Sequence, residues 1–267
     1  MTNPPRNGYD VRATDYAAMP GNRAFYRVWA ERGVALIPAG THLGLVVDLG
    51  CGSGFSTEVL LERCWAEQVI GLDPSTAMLR LARANPALDG ARFVQARAEA
   101  LPLPDASAGL VLSSFAFHWF RADAAARELH RILHPHGLAV CVIPVPVGAS
   151  AAERGNRLVR RVLARQARAS PLARRPTQGL QPERVVALFG ACGLAVWHHD
   201  VVEWIEPFSS PAHLWATLDS RGSLEAIFGR GPVTAPAMLD GLTDNDLTDN
   251  DPVTFRWRVI RLGMRRG

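Results

Sequence analysis

An open, doubly wound α/β sheet is the fold that the sequence predicts, and three observations carry it. From Leu43 to Cys192 short apolar runs alternate with amphipathic stretches, the rhythm of strands joined by crossover helices. A glycine-rich turn, Gly50-Cys51-Gly52-Ser53-Gly54, falls between the first apolar run and the first amphipathic one. The chain has 267 residues, 48% of them hydrophobic and 20% charged, which is enough for one large α/β domain or two small ones and too apolar for a disordered regulator.

In order, Leu45-Val46-Val47-Asp48-Leu49 reads as the first strand and Phe55 to Trp65 as its helix. Val69 to Asp73 is the second strand, followed by a helix from Pro74 to Ala84, and Arg92 to Ala96 is a shorter third strand. Leu110 to Ser114 makes a fourth, Ala122 to Leu133 a helix, and Leu138 to Ile143 a fifth. Such a sheet takes its ligand at the carboxyl ends of its strands. Pro182 to Cys192 reads as a further helix closed by Gly193, and Leu194 to Ile205 and Val253 to Leu262 as two late strands. Between those strands, Ser209 to Asp251 holds two short helical patterns.

After Pro146 the chain turns arginine-rich. A helix from Ala151 to Ala169 sorts Leu158, Val159, Val162 and Leu163 onto one face and Arg154, Arg157, Arg160, Arg161, Arg165 and Arg168 onto the other. No aromatic residue interrupts residues 151–180, so base stacking has no platform there and a solvated face is the expected reading, with an acidic partner as the alternative. All 29 basic residues are arginine, and a net charge of +4 makes no strong field for nucleic acid. Mean hydropathy is +0.03, no run of about 18 apolar residues signals a membrane span, and polar Met1 to Asp10 lacks a leader's apolar segment. A cytoplasmic location is the expectation. Cys51, Cys64, Cys141 and Cys192 stand far apart, with the spacing of neither a zinc site nor a disulfide framework. The duplicated Leu242-Thr-Asp-Asn-Asp and Leu247-Thr-Asp-Asn-Asp lacks the glycine and closing glutamate of a calcium loop, and of the four histidines that invite a metal hypothesis, His118, His130, His134 and His136, the last three fall on and after the Ala122 to Leu133 helix. No metal is expected.

The glycine turn carries the first chemical signal. Gly50, Gly52 and Gly54 allow a sharp turn and the close approach of a ligand. A dinucleotide fingerprint would place its last glycine at position 55, where this chain has Phe55, which counts against a nicotinamide-dependent oxidoreductase. Asp73, nineteen residues beyond Gly54 at the end of the second strand, can accept hydrogen bonds from two ribose hydroxyls, or cap the helix that Pro74 opens. Ala98-Glu99-Ala100-Leu101-Pro102 follows the third strand, and Ser114-Phe115-Ala116-Phe117-His118-Trp119-Phe120 ends the fourth.

Together these segments resemble the class I S-adenosylmethionine-dependent methyltransferases, most closely the small-molecule branch, over about Tyr9 to Ile143. Asp48, Gly50, Cys51, Gly52 and Gly54 match the family's first motif, around the cofactor's methionine. Asp73 and Pro74 match the ribose-binding strand end, and Ala98 and Glu99 the adenine-binding turn, although Arg97 stands where an aspartate is common. Ser114 and Phe115 match the strand end beside the methionine.

The resemblance implies a Rossmann-like, mostly parallel sheet of seven strands with the last antiparallel, in a single domain over residues 1–267. An N-terminal cap (1–30) carrying Tyr9 and Tyr16 would fold over a cofactor core (43–144), with Tyr16 on the cofactor. Acceptor-side insertions would span 145–180 and 207–251. It also implies S-adenosylmethionine as cofactor, S-adenosylhomocysteine as product, and a small-molecule acceptor methylated on O, N or C, with the tailoring of a bacterial secondary metabolite as the expected setting. Tyr9, Phe117, His118 and Trp119 are the expected acceptor pocket, and His118, with an ordinary pKa near ~6.5, the candidate base or acceptor-orienting group. An RNA-methylating or non-catalytic adenosyl-binding module is the alternative.

Overall fold

The computed structural model describes residues 8–145, 153–169, 181–223 and 251–267. Two helices, α1 (Gly8–Ala18) and α2 (Asn22–Val34), precede the sheet. The alternating core follows as β1 (Leu45–Leu49), α3 (Phe55–Arg63), β2 (Gln68–Asp73), α4 (Thr76–Arg83), β3 (Ala91–Gln95), β4 (Ala108–Ser114), α5 (Ala122–Ile132) and β5 (Leu133–Val145). Then come α6 (Arg154–Ala169), α7 (Pro182–Ala191), β6 (Leu194–Phe208), α8 (Pro211–Ser220) and β7 (Val253–Arg266). The seven strands lie in the order β3-β2-β1-β4-β5-β7-β6, with β7 antiparallel and helices on both sides.

Strand order reverses at β1, which pairs in parallel with β2 on one side (Leu49 opposite Leu72) and β4 on the other (Asp48 opposite Leu112). A crevice opens beyond the carboxyl ends at such a reversal, which is where a ligand belongs. Val46, Val47, Leu110, Val111, Leu112, Val140 and Val142 are buried almost completely, the composition of strands covered on both faces. Helix α2 approaches this sheet closely because Gly33 has no side chain: a Cβ there would lie 2.8 Å from Val142 Cγ2.

The chain forms two compact units. One comprises residues 1–144, 180–202 and 259–267, and the other 145–179 and 203–258, so β6 and β7 each contribute to both. In the second unit, a Cβ at Gly155 would meet the Thr254 carbonyl oxygen at 2.8 Å, and the Asn156 side chain both donates to the Arg256 carbonyl (3.0 Å) and accepts from its N–H (2.7 Å). These contacts seat α6 on β7. Leu158 and Val159 are buried and Arg161 is exposed, while side chains from position 162 to the end of α6 lie outside the described residues. The same unit buries Arg221 in a two-point ion pair with Glu206 (2.7 and 2.8 Å), beneath which Trp257 Nε1 also donates to Glu206.

Strand β5 begins five residues earlier than the sequence suggests. Its pairing with β4 jumps from Ala108 opposite Leu133 to Leu110 opposite Leu138, so His134-Pro135-His136-Gly137 bulges out of a strand that otherwise continues. The second helical pattern before Asp251, and all but the last residue of the duplicated Leu-Thr-Asp-Asn-Asp, lie outside the described residues. Among the described residues no helix is long and apolar enough to cross a membrane.

Candidate active site

The site is built in the first unit, where β1, β2 and β4 end side by side. After Leu49 the chain takes left-handed conformations at Gly50 (φ +79°), Gly52 (φ +53°) and Gly54 (φ +93°), which ordinary side chains strongly disfavour. These glycines face different surroundings. A Cβ at Gly50 would lie 2.3 Å from the Ala116 Cβ, so the first glycine lets the turn pack against the chain leaving β4. At Gly52 a Cβ would meet nothing within 4 Å, so this backbone is open to a ligand.

Asp48 lies fully buried beneath the turn. Its Oδ2 accepts from the hydroxyls of Ser56 (2.7 Å) and Thr57 (2.6 Å), tying β1 to the first turn of α3, while Oδ1 is buried without a partner. Burial pushes its carboxyl up to about 6, opposed by those two hydrogen bonds. Asp73 closes the neighbouring strand. Its Oδ2 accepts from Gly52 N (3.0 Å) and its Oδ1 from Ser75 N (2.8 Å), which leaves spare lone pairs on both oxygens. Burial raises this carboxyl to about 6 as well. Pro74 follows, its carbonyl accepting from the Gln95 side chain, and Ser75 caps α4 by accepting from Met78 N.

Beyond β3, Ala98 is buried. The Glu99 carboxylate turns to the start of α5, where it accepts from Arg121 N (2.8 Å), and lies 3.3 Å from Arg97 Nε. Its observed work is to cap α5.

The end of β4 holds several buried polar atoms without partners: the hydroxyls of Ser113 and Ser114, His118 Nδ1 and Trp119 Nε1. Ser53 in the glycine turn has another. Buried polar groups are ordinarily satisfied, and consecutive Ser113 and Ser114 point to opposite faces of the sheet, so a polar ligand at these strand ends would satisfy those of the atoms that face it. Phe115 holds φ +53°, a conformation costing an aromatic residue about 1–2 kcal/mol, and packs against Phe25, Tyr26 and Trp29. His118 is half-buried as a residue, but burial of its ring pushes its pKa down to about 4. Its imidazole is therefore neutral at physiological pH.

Helix α1 crosses these strand ends. Tyr9 meets the Trp119 ring edge-on at 5.5 Å, and Tyr16 stacks on Phe55 at 5.6 Å. Asp10 Oδ1 accepts from the Ser75 hydroxyl (2.7 Å) and from Ala77 N (3.3 Å).

The family described as methyltransferase domain matches residues 47–141, the span that holds the glycine turn and the ends of β1, β2 and β4. Trans-aconitate 2-methyltransferase of Acidovorax sp. (strain JS42) is 33% identical over 195 residues, 65% of this chain and 72% of that protein. The chain belongs to the class I S-adenosylmethionine-dependent methyltransferases. Malonyl-(acyl-carrier protein) O-methyltransferase of Methylococcus capsulatus is 36% identical over 127 residues, 45% of this chain and 46% of the relative. Among solved structures, the complex of the Haloferax volcanii Trm112 methyltransferase activator with its methyltransferase matches 97% of this chain and 98% of its counterpart, with a TM-score of 0.60 and 20% identity, a likeness of fold.

In this methyltransferase the structure gathers Asp48, Gly50, Cys51, Gly52, Asp73, Ser114, Phe115, His118, Trp119, Tyr9 and Tyr16 around one set of strand ends. Phe117 departs from the expected acceptor wall. It is fully buried against Phe120 and Phe189, because the short 3₁₀ turn Phe117–Trp119 directs it into the core beside α7. The expectation of an ordinary histidine pKa at His118 is likewise corrected by burial. Sequence reasoning missed Ser56 and Thr57, whose position in the first turn after a buried Asp could have signalled them, and Asp10, which carried no local signal.

Proposed function

We propose that this methyltransferase moves a methyl group from S-adenosylmethionine to a small-molecule acceptor, and that the acceptor atom is a carboxylate oxygen. The observation that carries the cofactor reading is the pair Gly52 and Asp73: an open left-handed backbone beside a carboxylate with lone pairs to spare. Asp73 would hold the ribose, and the turn Gly50 to Gly54 with Ser114 would surround the methionine part. When bound, the cofactor supplies a methyl group already activated on a sulfonium, so the chain's task is to align the acceptor and exclude water.

The carboxylate reading rests on two supports. The similar proteins named above are, by name, methyltransferases of trans-aconitate and of malonyl-(acyl-carrier protein), and both the aconitate and the malonyl group carry carboxylates. A carboxylate is ionised at neutral pH and needs no base, which suits a His118 kept neutral and weakly basic by burial. There His118 would act as a hydrogen-bond partner that orients the acceptor.

A panel assay tests this reading. Incubation with labelled S-adenosylmethionine and matched small carboxylic acids, amines and phenols should yield base-labile methyl esters from the acids. Transfer to amines or phenols with no ester formed would contradict the carboxylate assignment.

A further inference from the structure

Helix α1 has 11 residues, too few to be stable alone in water, so it holds its place through what it touches. One polar tie of α1 to the cofactor side of the cleft is Asp10. Oδ1 of that residue accepts from the Ser75 hydroxyl at 2.7 Å and from Ala77 N at 3.3 Å. The same Ser75 gives its backbone N–H to Asp73 Oδ1 at 2.8 Å, and Asp73 Oδ2 takes the N–H of Gly52 at 3.0 Å. One continuous chain of hydrogen bonds therefore runs from α1 through Ser75 to the carboxylate and the glycine backbone assigned to the cofactor. One residue before Asp10, Tyr9 meets Trp119 beyond the end of β4, and two turns later Tyr16 stacks on Phe55 at the start of α3.

We propose that Asp10 is a positioning residue that seats α1 across the cofactor cleft and sets how long the adenosyl ligand stays bound. The inference rests on reading that cleft as the S-adenosylmethionine site. Asp10 touches Ser75 and Ala77, so its effect on the ligand runs through α1 and Ser75. With the seat made, α1 spans the ends of β2 and β4 and a ligand leaves only after Asp10 releases Ser75. Without it, the end of α1 that carries Tyr9 loses its tie to Ser75 and Ala77, while Asn22 Nδ2 still donates to the Tyr16 carbonyl at the other end of the helix (2.9 Å) and the strands that carry Asp73 and the glycine turn keep their own pairing. The consequence falls on ligand exchange, not on the transfer step.

Asp10→Ala and Asp10→Asn in the full chain test this, with S-adenosylhomocysteine as the probe. Asp10→Ala removes both accepted hydrogen bonds and should raise the dissociation rate of the probe, and the KM for S-adenosylmethionine, about tenfold, with kcat within about threefold of wild type. Asn keeps an acceptor oxygen at the same reach, so Asp10→Asn should restore both constants to within about threefold. Hydrogen exchange should quicken across residues 8–18 in Asp10→Ala and stay slow in β1 and β2. A dissociation rate in Asp10→Ala within twofold of wild type overturns the proposal. So does an Asp10→Asn variant as fast as Asp10→Ala, or an Asp10→Ala variant without a cooperative unfolding transition, since the seat would then serve the whole fold. Wild-type protein that binds no S-adenosylhomocysteine overturns the functional reading itself, whereas tight wild-type binding with an unchanged Asp10→Ala leaves that reading standing and removes only the seat.

Discussion

The backbone N–H of Gly52 donates to Oδ2 of Asp73 at 3.0 Å, so the open glycine of the turn after β1 is locked to the carboxylate that ends β2. Asp73→Ala should fold and bind S-adenosylhomocysteine more weakly by about 1–3 kcal/mol, the cost of lost hydrogen bonds to a charged group. Calorimetry on the folded variant checks it.

The two glycines of that turn should respond differently. At Gly50 an added methyl lies 2.3 Å from the Ala116 Cβ, so Gly50→Ala should lower the unfolding midpoint in denaturant sharply. At Gly52 the methyl enters open space and carries only the cost of the left-handed backbone, about 1–2 kcal/mol. Gly52→Ala should therefore remain folded and lose cofactor affinity. Equal losses of stability in both variants would count against the distinction.

Cofactor affinity and fold stability should move in opposite directions with pH. Burial raises the carboxyls of Asp48 and Asp73 from 3.8 to about 6. Groups raised on folding contribute stability that is fully present below about 3.8 and lost as pH rises through about 6. For Asp48, which is wholly buried, this amounts to about 3 kcal/mol. An ionised Asp73, in contrast, is the better acceptor for ribose hydroxyls, so affinity for S-adenosylhomocysteine should fall as pH drops below about 6. Titrations at several pH values in Asp73→Asn should lose that dependence.

His118, with a pKa near 4, should leave no inflection near pH 6.5 in kcat/KM. His118→Gln, which can still hydrogen-bond, should act mainly on the acceptor's KM, while His118→Ala should raise it further. A wild-type rate that climbs through pH 6 to 7 and is flattened by His118→Gln would assign the histidine to proton removal instead.

Phe117→Ala should cost about 3–5 kcal/mol of stability, the usual loss for a fully buried aromatic side chain. Acceptor KM should change little at a temperature where the variant is folded, because the ring faces Phe189 and Phe120. A variant of native stability with a raised acceptor KM would return Phe117 to the pocket wall.

The strands were most legible where residue type and backbone need coincide. The span Leu45–Leu49 is bounded by the glycine turn that must follow it, and sequence and structure agree on both ends. Where a turn signal proved local, the reading fell short: His134-Pro135-His136-Gly137 looks like a loop, yet β5 carries it as a bulge because Leu133 still pairs with Ala108. The core position of Phe117 could not be read, since alternation at a strand's end does not say which way a following 3₁₀ turn will point. Nor could Asp10, whose partners lie 65 and 67 residues along the chain and exist only once α1 is docked on α4. Glu99 shows the same limit: its place in the turn after β3 was visible, but its hydrogen bond to Arg121 N, 22 residues on, is a tertiary fact.

A crystal structure of the full chain with S-adenosylhomocysteine is the most direct test of the cofactor site. It should place both ribose hydroxyls within hydrogen-bond distance of the Asp73 carboxylate and the homocysteine along Gly52, with α1 still seated on Ser75. A ligand bound elsewhere, or one in this crevice whose ribose points away from Asp73, would contradict the account.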